Sequence, residues 1–324
     1  MSLTLNQKTV GIFPASGGLG GSTYNHLLKK VPHTTLTLIS RYPEKTPSIH
    51  QQQGVTLRRA SYESTPAELE DAFAGIEVLF LISYPSHVRD YRVQVQLPAI
   101  DAAYKAGVKH IFYSSLAFAL PDKTESKAEV MKAHLETEKY LKHLAATDAG
   151  FTWTSIREGL YSESFPIYTS FWTLENPRPE ILIPHDGSAP GISWAKRDEL
   201  GEATAALIAR CATPADRPSS DLRNKAVVLT GPRAWSLFES IQVLGKAVGK
   251  DIRIRKVGVD EWAKQQQIVD YFKNETEART WATAWEAIEA GETSFASTEL
   301  EAILGREPEP FDETIRKMVE EITK

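Results

Sequence analysis

The sequence lacks the features that define several large classes of protein. Cys211 is the only cysteine in 324 residues, so neither an internal disulfide nor a thiolate metal cluster can form, and no metal site is predicted. No apolar run approaches the roughly 20 residues of a membrane-spanning helix. The first ten residues have neither the basic start nor the apolar core of a secretion signal. We therefore expect no membrane association and a cytoplasmic, reducing location.

Positive charge is also scarce. The 37 Lys and Arg residues against 42 Asp and Glu give a net charge of −5, whereas proteins that bind nucleic acid normally carry a basic stripe. Hydrophobic residues make up 42% and charged residues 24%, as in ordinary globular proteins. We expect no direct contact with nucleic acid. A monomer and a homodimer both remain open.

Short apolar runs alternate with helical patterns through the first half of the chain. Several runs are apolar at consecutive positions, which is typical of parallel strands covered on both faces. The predicted strands fall at 8–14, 35–40, 54–59, 78–83, 109–115 and 151–156, and the helices between them at 21–30, 65–74, 87–106 and 124–146. This order predicts βαβ units and an α/β fold of the Rossmann type, with a doubly wound parallel sheet.

The alternation loosens after Arg157. Segment 174–191 is rich in Pro and Gly and predicts a loop with one short strand, and the chain beyond residue 260 is mostly helical in pattern. We interpret residues 1–157 as a nucleotide-binding domain to which 192–232 return. The remaining segments, 158–191 and 233–324, are interpreted as a smaller, discontinuous C-terminal substrate-binding lobe.

Glycines cluster directly after the first predicted strand, in ASGGLGG at 15–21. At a helix N-terminus the unpaired N–H groups and the helix dipole attract phosphate. The spacing fits the Gly-x-x-Gly-x-x-Gly form of dinucleotide loops, with Pro14 in the first position, where it removes one N–H donor. A simple tight turn is the alternative. We expect the pyrophosphate of a dinucleotide to contact Ser16, Gly17, Gly18, Leu19 and Gly20.

The end of the second strand indicates which dinucleotide binds. Sites for NAD place an acid there, about 20 residues past the glycines, to bind the ribose 2′-hydroxyl. This sequence has Ser40 and Arg41 instead, with Lys45 nearby. A guanidinium suits a 2′-phosphate and can stack on adenine, although a surface arginine is the alternative. NADP(H) is therefore the predicted cofactor.

Several longer stretches resemble a known family. QGVTLRRASYESTPAELEDAFAGIEVLFLIS at 53–83 and AAYKAGVKHIFYSS at 102–115 are similar to the NmrA-like branch of the atypical short-chain dehydrogenases. AHLETEKYLKHL at 133–144 and FTWTSIREGLYSES at 151–164 resemble the type 2 quinone oxidoreductases and triphenylmethane reductases of that branch. The resemblance extends to about Trp262.

The resemblance implies a Rossmann domain for NADP(H) and assigns residues to it. Ser61 and Tyr62 would lie beside the adenine, although the family often has Asp where this chain has Ser61. His134 would face the cofactor, at a position where many relatives have lysine. The nicotinamide and its ribose would be bordered by Ser83, Tyr84, Pro85, Ser114, Ser115, Gly159, Leu160 and Tyr161.

The proton chemistry of ordinary short-chain dehydrogenases is missing. Those enzymes use a Tyr-x-x-x-Lys pair, in which lysine lowers the pKa of the tyrosine, and none of the 11 tyrosines here has a lysine four residues on. Either the substrate is an electrophile that needs little proton help, or another side chain supplies the proton. The candidates are His134, Tyr161, Ser115 and Glu158, for each of which a structural role is the alternative.

Aromatic side chains follow the sixth strand and suit a flat, apolar ligand. The predicted substrate contacts are Phe165, Tyr168, Trp172 and Trp194. Three functions remain open. The first is an NADP(H)-dependent oxidoreductase acting on an aromatic or polycyclic molecule, such as a quinone, imine or alkaloid-like intermediate of secondary metabolism. The others are a non-catalytic NADP(H)-sensing regulator of the NmrA type and a redox-neutral rearrangement on bound NADP(H).

Overall fold

A parallel sheet of seven strands forms the centre of the protein. The computed structural model describes residues 7–213 and 222–323. The strands run in the order β3-β2-β1-β4-β5-β6-β8, and every neighbouring pair is parallel. Their bounds are β1 Val10–Phe13, β2 Leu36–Ser40, β3 Thr56–Arg59, β4 Val78–Ile82, β5 His110–Leu116, β6 Thr152–Glu158 and β8 Lys225–Leu229. The predicted Rossmann-type α/β fold is confirmed.

Helices cover both faces of this sheet because its strands alternate their side chains between two apolar layers. Ile12 of β1 points into a core shared with helices α1 and α7, whereas Phe13 points into a core shared with α3, α4 and α5. The bounds are α1 Gly18–Leu27, α2 Ser48–Gln52, α3 Pro66–Phe73, α4 Arg89–Lys105, α5 Glu129–Thr147 and α7 Arg197–Ala212.

A third core lies beyond the carboxyl ends of the strands. It contains four fully buried tryptophans, Trp172, Trp194, Trp262 and Trp285. Strands β7 Glu180–Ile183 and β9 Arg253–Lys256 pair in parallel beside it. Its helices are α6 Phe165–Tyr168, α8 Leu237–Ala247, α9 Val259–Ala263, α10 Gln266–Phe272, α11 Glu275–Glu289 and α13 Phe311–Ile322.

One C-terminal helix packs elsewhere. Leu300 of α12 Glu299–Leu304 belongs to the core that α1 and α7 form with the sheet, and not to the tryptophan-rich core. The interpreted lobe of 233–324 is therefore interrupted by a helix that packs with α1 and α7 against the seven-stranded sheet. Among the described residues, no helix combines the length and apolarity that crossing a bilayer requires.

Candidate active site

The glycine loop joins β1 to α1 and has the geometry that a phosphate site needs. Gly17 is the N-cap of α1 and has φ of +94°, a conformation that strains any residue with a Cβ. A Cβ on Gly20 would lie 2.6 Å from the carbonyl oxygen of Pro14, so only glycine lets the helix start this close to the loop. Ser16, Gly17 and Gly18 are exposed, and Leu19 is buried.

The first turn of α1 offers unpaired donors. The helical hydrogen bonds begin at the N–H of Gly21, which donates to the carbonyl of Gly17 at 2.8 Å, and no side chain of the described residues caps this helix. The N–H groups of Gly18, Leu19 and Gly20 precede that first bond and so have no helical acceptor. Unpaired donors at an exposed helix start fit a pyrophosphate.

The loop after β2 carries a guanidinium in the position expected for a 2′-phosphate. Arg41 is half exposed, and its Nη2 lies 2.7 Å from Oε2 of Glu63. The hydroxyl of Tyr84 donates to Oε1 of the same carboxylate at 3.0 Å. An acid, Glu63, therefore does lie close to the end of β2. It belongs to the loop after β3, where the sequence pattern did not predict one. Tyr84, which the family resemblance assigns to the nicotinamide and its ribose, therefore lies beside Glu63 and Arg41 instead.

The other residues assigned to the adenosine end have mixed placements. The Tyr62 hydroxyl donates to the carbonyl of Ile82 at 2.6 Å, so this buried ring is fixed within the fold. Ser61 accepts the N–H of Glu63 at 3.3 Å and so shapes the turn that carries that acid. The ammonium of Lys45 lies 4.8 Å from the ring centre of Tyr42.

A cavity of about 230 Å³ lies at the carboxyl ends of β4, β5 and β6. Pro85 is exposed and does not line it. The structure brings together at this cavity most of the residues predicted for the nicotinamide end and for catalysis: Ser83, Ser114, Ser115, His134, Glu158, Gly159, Leu160, Tyr161 and Tyr168. Sequence separation does not prevent this, because parallel strands end at one edge of the sheet.

Glu158 is the most unusual group of the cavity. It is 2% exposed, its Oε2 accepts the hydroxyl of Tyr161 at 2.6 Å, and its Oε1 has no partner among the described residues. Burial raises the pKa of Glu158 to about 8, against a smaller lowering by the Tyr161 hydrogen bond. Burial also raises the pKa of Tyr161. At neutral pH the cavity therefore holds a protonated carboxyl group.

His134 is buried in a polar network that engages both ring nitrogens. Nη2 of Arg92 lies 2.7 Å from Nε2, and the Tyr113 hydroxyl lies 3.0 Å from Nδ1. Because a guanidinium can only donate, Nε2 accepts and the ring proton is on Nδ1. Burial, and then the Arg92 charge, lower the pKa of His134 well below its usual value. This geometry leaves the neutral ring without a free proton to transfer.

The hydroxyl group of Ser115 also has a hydrogen-bond partner within the protein. Its hydroxyl donates to Oε1 of Glu138 at 2.8 Å. The Glu138 carboxylate forms a buried ion pair with Arg157, with 2.7 Å between Oε2 and Nη2. The Ser155 hydroxyl donates to the same Oε1 at 2.7 Å. Ser115 thus connects the cavity wall to the ion pair that holds α5 against β5 and β6.

Of the predicted aromatic contacts, only Tyr168 reaches the cavity. Phe165 is 2% exposed and lies against Trp172, which is fully buried. Trp194 stacks on Phe311 at 5.1 Å and donates its indole N–H to Ser240. The structure thus places Phe165, Trp172 and Trp194 in the core behind the wall, where Trp194 packs against Tyr168 with ring centres 5.4 Å apart.

The wall includes residues that the sequence patterns did not single out. His87, Phe118 and Trp281 line the cavity. The His87 Nε2 lies 3.0 Å from the Tyr271 hydroxyl, and burial lowers the pKa of His87 to about 4. Trp281 comes from α11, more than a hundred residues beyond the strands that it faces, so no local motif could have identified it.

The chain is similar to proteins of one known family along most of its length. The profile of the NmrA-like family matches residues 6–309. An NmrA-like family domain-containing oxidoreductase of Aspergillus flavus is 31% identical over 311 residues, which is 95% of this chain and 94% of that protein. The NADPH complex of quinone oxidoreductase 2 from Escherichia coli has a TM-score of 0.76 at 26% identity, covering 98% of this chain and all of that one.

A second solved structure is equally similar. The triphenylmethane reductase of a Citrobacter species, complexed with NADP(H), has a TM-score of 0.75 at 27% identity. The alignment covers 95% of this chain and 99% of the reductase.

Proposed function

This chain belongs to the NmrA-like family, and we propose that it reduces a compact quinone or conjugated enone with NADPH, with Glu158 as the proton donor. The broader activity is that of an NADP(H)-dependent oxidoreductase, as its relatives are named. The unpaired donors of the glycine loop and the Arg41 guanidinium fit the two phosphate groups of that cofactor.

The burial of Glu158, with an Oε1 that has no partner among the described residues, is the observation that carries the proposal. NADPH supplies a hydride, and a carbonyl oxygen that gains its electrons needs a proton. We place the carboxyl proton on Oε1, which has no partner, while Oε2 keeps the Tyr161 hydrogen bond. Transfer to the substrate oxygen leaves Glu158 as a carboxylate, which water reprotonates after product release. A pKa near the working pH suits a general acid.

The buried positive charge of Arg92 beside the cavity also favours a carbonyl substrate. Arg92 is 5% exposed and donates to His134 and to the carbonyl of Val130, with no carboxylate of a described residue in ion-pair contact. A positive charge in a medium of low dielectric stabilises negative charge on a nearby oxygen and opposes a cationic substrate. We therefore favour a carbonyl over an iminium or a triarylmethyl cation.

The size of the cavity restricts the substrate further. Small-molecule pockets usually measure about 300–1,000 Å³, and this cavity measures about 230 Å³. Its apolar wall consists of Phe118, Tyr168 and Trp281 together with aliphatic side chains. A compact ring system, of one or two rings, fits this space better than a polycyclic one.

Turnover with four substrate sets tests the proposal. We expect NADPH oxidation with benzoquinones, naphthoquinones and cyclic enones, and at least tenfold lower kcat/KM with cationic triarylmethane dyes. Deuterium from the C4 position of labelled NADPH should appear in a reduced enone product. Tight NADPH binding without turnover of any set would favour a regulator. Label in a product of unchanged oxidation state would favour a redox-neutral rearrangement.

A further inference from the structure

A second helix meets the glycine loop. Arg197 is the first residue of α7, and its guanidinium lies directly over Gly18, the first residue of α1. A Cβ on Gly18 would be 2.7 Å from Nε and 2.8 Å from Cζ and Nη1 of Arg197. Gly18 therefore leaves room for the Arg197 side chain. This side chain lies beside the unpaired main-chain N–H groups at the start of α1.

The position of this guanidinium is electrostatically unfavourable unless an anion joins it. The start of α1 carries the positive end of the helix dipole, which repels a cation. Within the described residues, no acceptor lies within hydrogen-bond reach of the Arg197 guanidinium and no carboxylate pairs with it. The nearby carboxylates have other partners: Glu163 accepts the main-chain N–H of Arg197 at 3.2 Å, and Asp198 accepts the Ser22 hydroxyl at 2.6 Å.

The base of the side chain is held in place. Asp198 connects α7 to α1 through Ser22, and its carboxylate also lies 3.3 Å from Nε2 of His26. Gly201 lets the two helices approach closely, because a Cβ there would collide with the Ser22 side chain. A guanidinium on such a fixed base loses little freedom when it binds a ligand.

We propose that Arg197 binds the pyrophosphate of NADP(H), from the side of the anion opposite to the N–H groups of α1. It supplies a charged donor to a loop in which Pro14 has removed one N–H. Tyr161 of the cavity wall pairs in a β-bridge with Ala195, two residues before Arg197, so Arg197 lies close to both the glycine loop and the cavity. The inference rests on the proposed use of NADP(H).

According to this proposal, two arginines bind two different phosphate groups of NADPH. Replacing each arginine should therefore change the affinities for NADPH, NADH and 2′-AMP in a different way. Arg197 contacts the pyrophosphate, which NADPH and NADH share, whereas Arg41 contacts the 2′-phosphate, which NADH lacks. Arg197→Met should weaken NADPH and NADH by the same factor, roughly 10- to 100-fold for a lost charge-assisted contact. It should leave the binding of 2′-AMP unchanged. Arg41→Met should weaken NADPH and 2′-AMP and leave NADH unchanged.

Calorimetric titration of the purified full chain with NADPH, NADH and 2′-AMP measures this pattern without turnover. Arg197→Gln is the second variant, because it keeps a polar side chain without the charge, and Arg316→Met on α13 is the control for a lost surface arginine. The proposal is overturned if both Arg197 variants bind NADPH within twofold of wild type, or if only NADPH is weakened. Wild-type protein that binds no NADPH would instead contradict the proposed function itself.

Discussion

At the scale of single residues, the site depends on a carboxyl group that folding keeps protonated. Glu158 ends the buried strand β6, and its Oε1 has no partner to compensate an ionised charge. An unpaired carboxylate in such a place costs folding free energy, so the proton is retained. The burial that raises the pKa of Glu158 should therefore destabilise the protein at high pH.

Glu158→Gln should reveal this cost as a pH-dependent gain in stability. The pKa of Glu158 is raised from 4.5 to about 8 on folding, so its contribution to stability is complete below about pH 4.5 and is lost as the pH rises to about 8. Thermal unfolding should give similar midpoints for variant and wild type at pH 4.5, and a higher midpoint for the variant at pH 8.5. A difference that does not change with pH would contradict the raised pKa.

A second acid lies beside Arg41, the residue that we expect to bind the 2′-phosphate. Glu63 holds the Arg41 guanidinium, with 2.7 Å between Oε2 and Nη2, in the place that a 2′-phosphate would occupy. Exposed ion pairs contribute at most about 1 kcal/mol, so the phosphate can displace this carboxylate but must then tolerate its charge.

Glu63→Gln should shift the preference toward NADPH. The neutral amide removes the repulsion from the 2′-phosphate and releases Arg41, and we expect NADPH to bind roughly 2- to 5-fold more tightly, within the range of surface ion pairs. The affinity for NADH should stay equal or fall. Arg41→Met is the opposite control. An unchanged ratio of the two dissociation constants in Glu63→Gln would exclude a role of this acid in selectivity.

At the scale of elements, the strands were predictable because buried parallel strands leave continuous apolar runs. All six strands predicted in the first half are present. The helix ends were less clear. Helix α1 begins at Gly18 rather than at residue 21, since glycines in its first turn conceal the start, and the short α2 at Ser48–Gln52 has no amphipathic pattern long enough to detect.

Helix α3 shows a start signal that the sequence did contain. Thr65 is the N-cap and forms a capping box with Glu68, a pattern that the sequence displays as Thr-x-x-Glu. Thr65→Ala should lower the free energy of unfolding by about 1 kcal/mol, measured by urea denaturation. Thr65→Ser keeps the hydroxyl and should lose much less. Equal losses in the two variants would show that the cap hydroxyl contributes nothing.

At the scale of the whole molecule, the cavity is closed by a part of the chain that is distant in sequence. Trp281 of α11 lines it and packs against Tyr168, with ring centres 5.5 Å apart. It also stacks on Trp262 at 6.0 Å. Residues such as Trp281, Glu63 and Arg197 reach the site through tertiary packing alone, which explains why local patterns found the strand-end residues and missed these three.

Trp281 should report substrate binding by its fluorescence. A quinone in the cavity would lie against this indole and quench it, so titration with a naphthoquinone should lower the tryptophan emission of the wild type. Trp281→Phe should lose most of this quenching. Trp153→Phe, on β6 and outside the cavity wall, should keep it. Undiminished quenching in Trp281→Phe would place the substrate elsewhere.

The pH dependence of kcat/KM with a slow cyclic enone, compared between wild type and Glu158→Gln, tests the account most directly. The cavity histidines have pKa values lowered by burial, to about 4 for His87 and well below the usual value for His134, so they do not titrate near pH 8. We expect the kcat/KM of the wild type to fall tenfold per pH unit above about pH 8. The kcat/KM of Glu158→Gln should be about 100-fold below that of the wild type at neutral pH and should not depend on pH. A variant that keeps the wild-type rate, or the same inflection, would contradict the account.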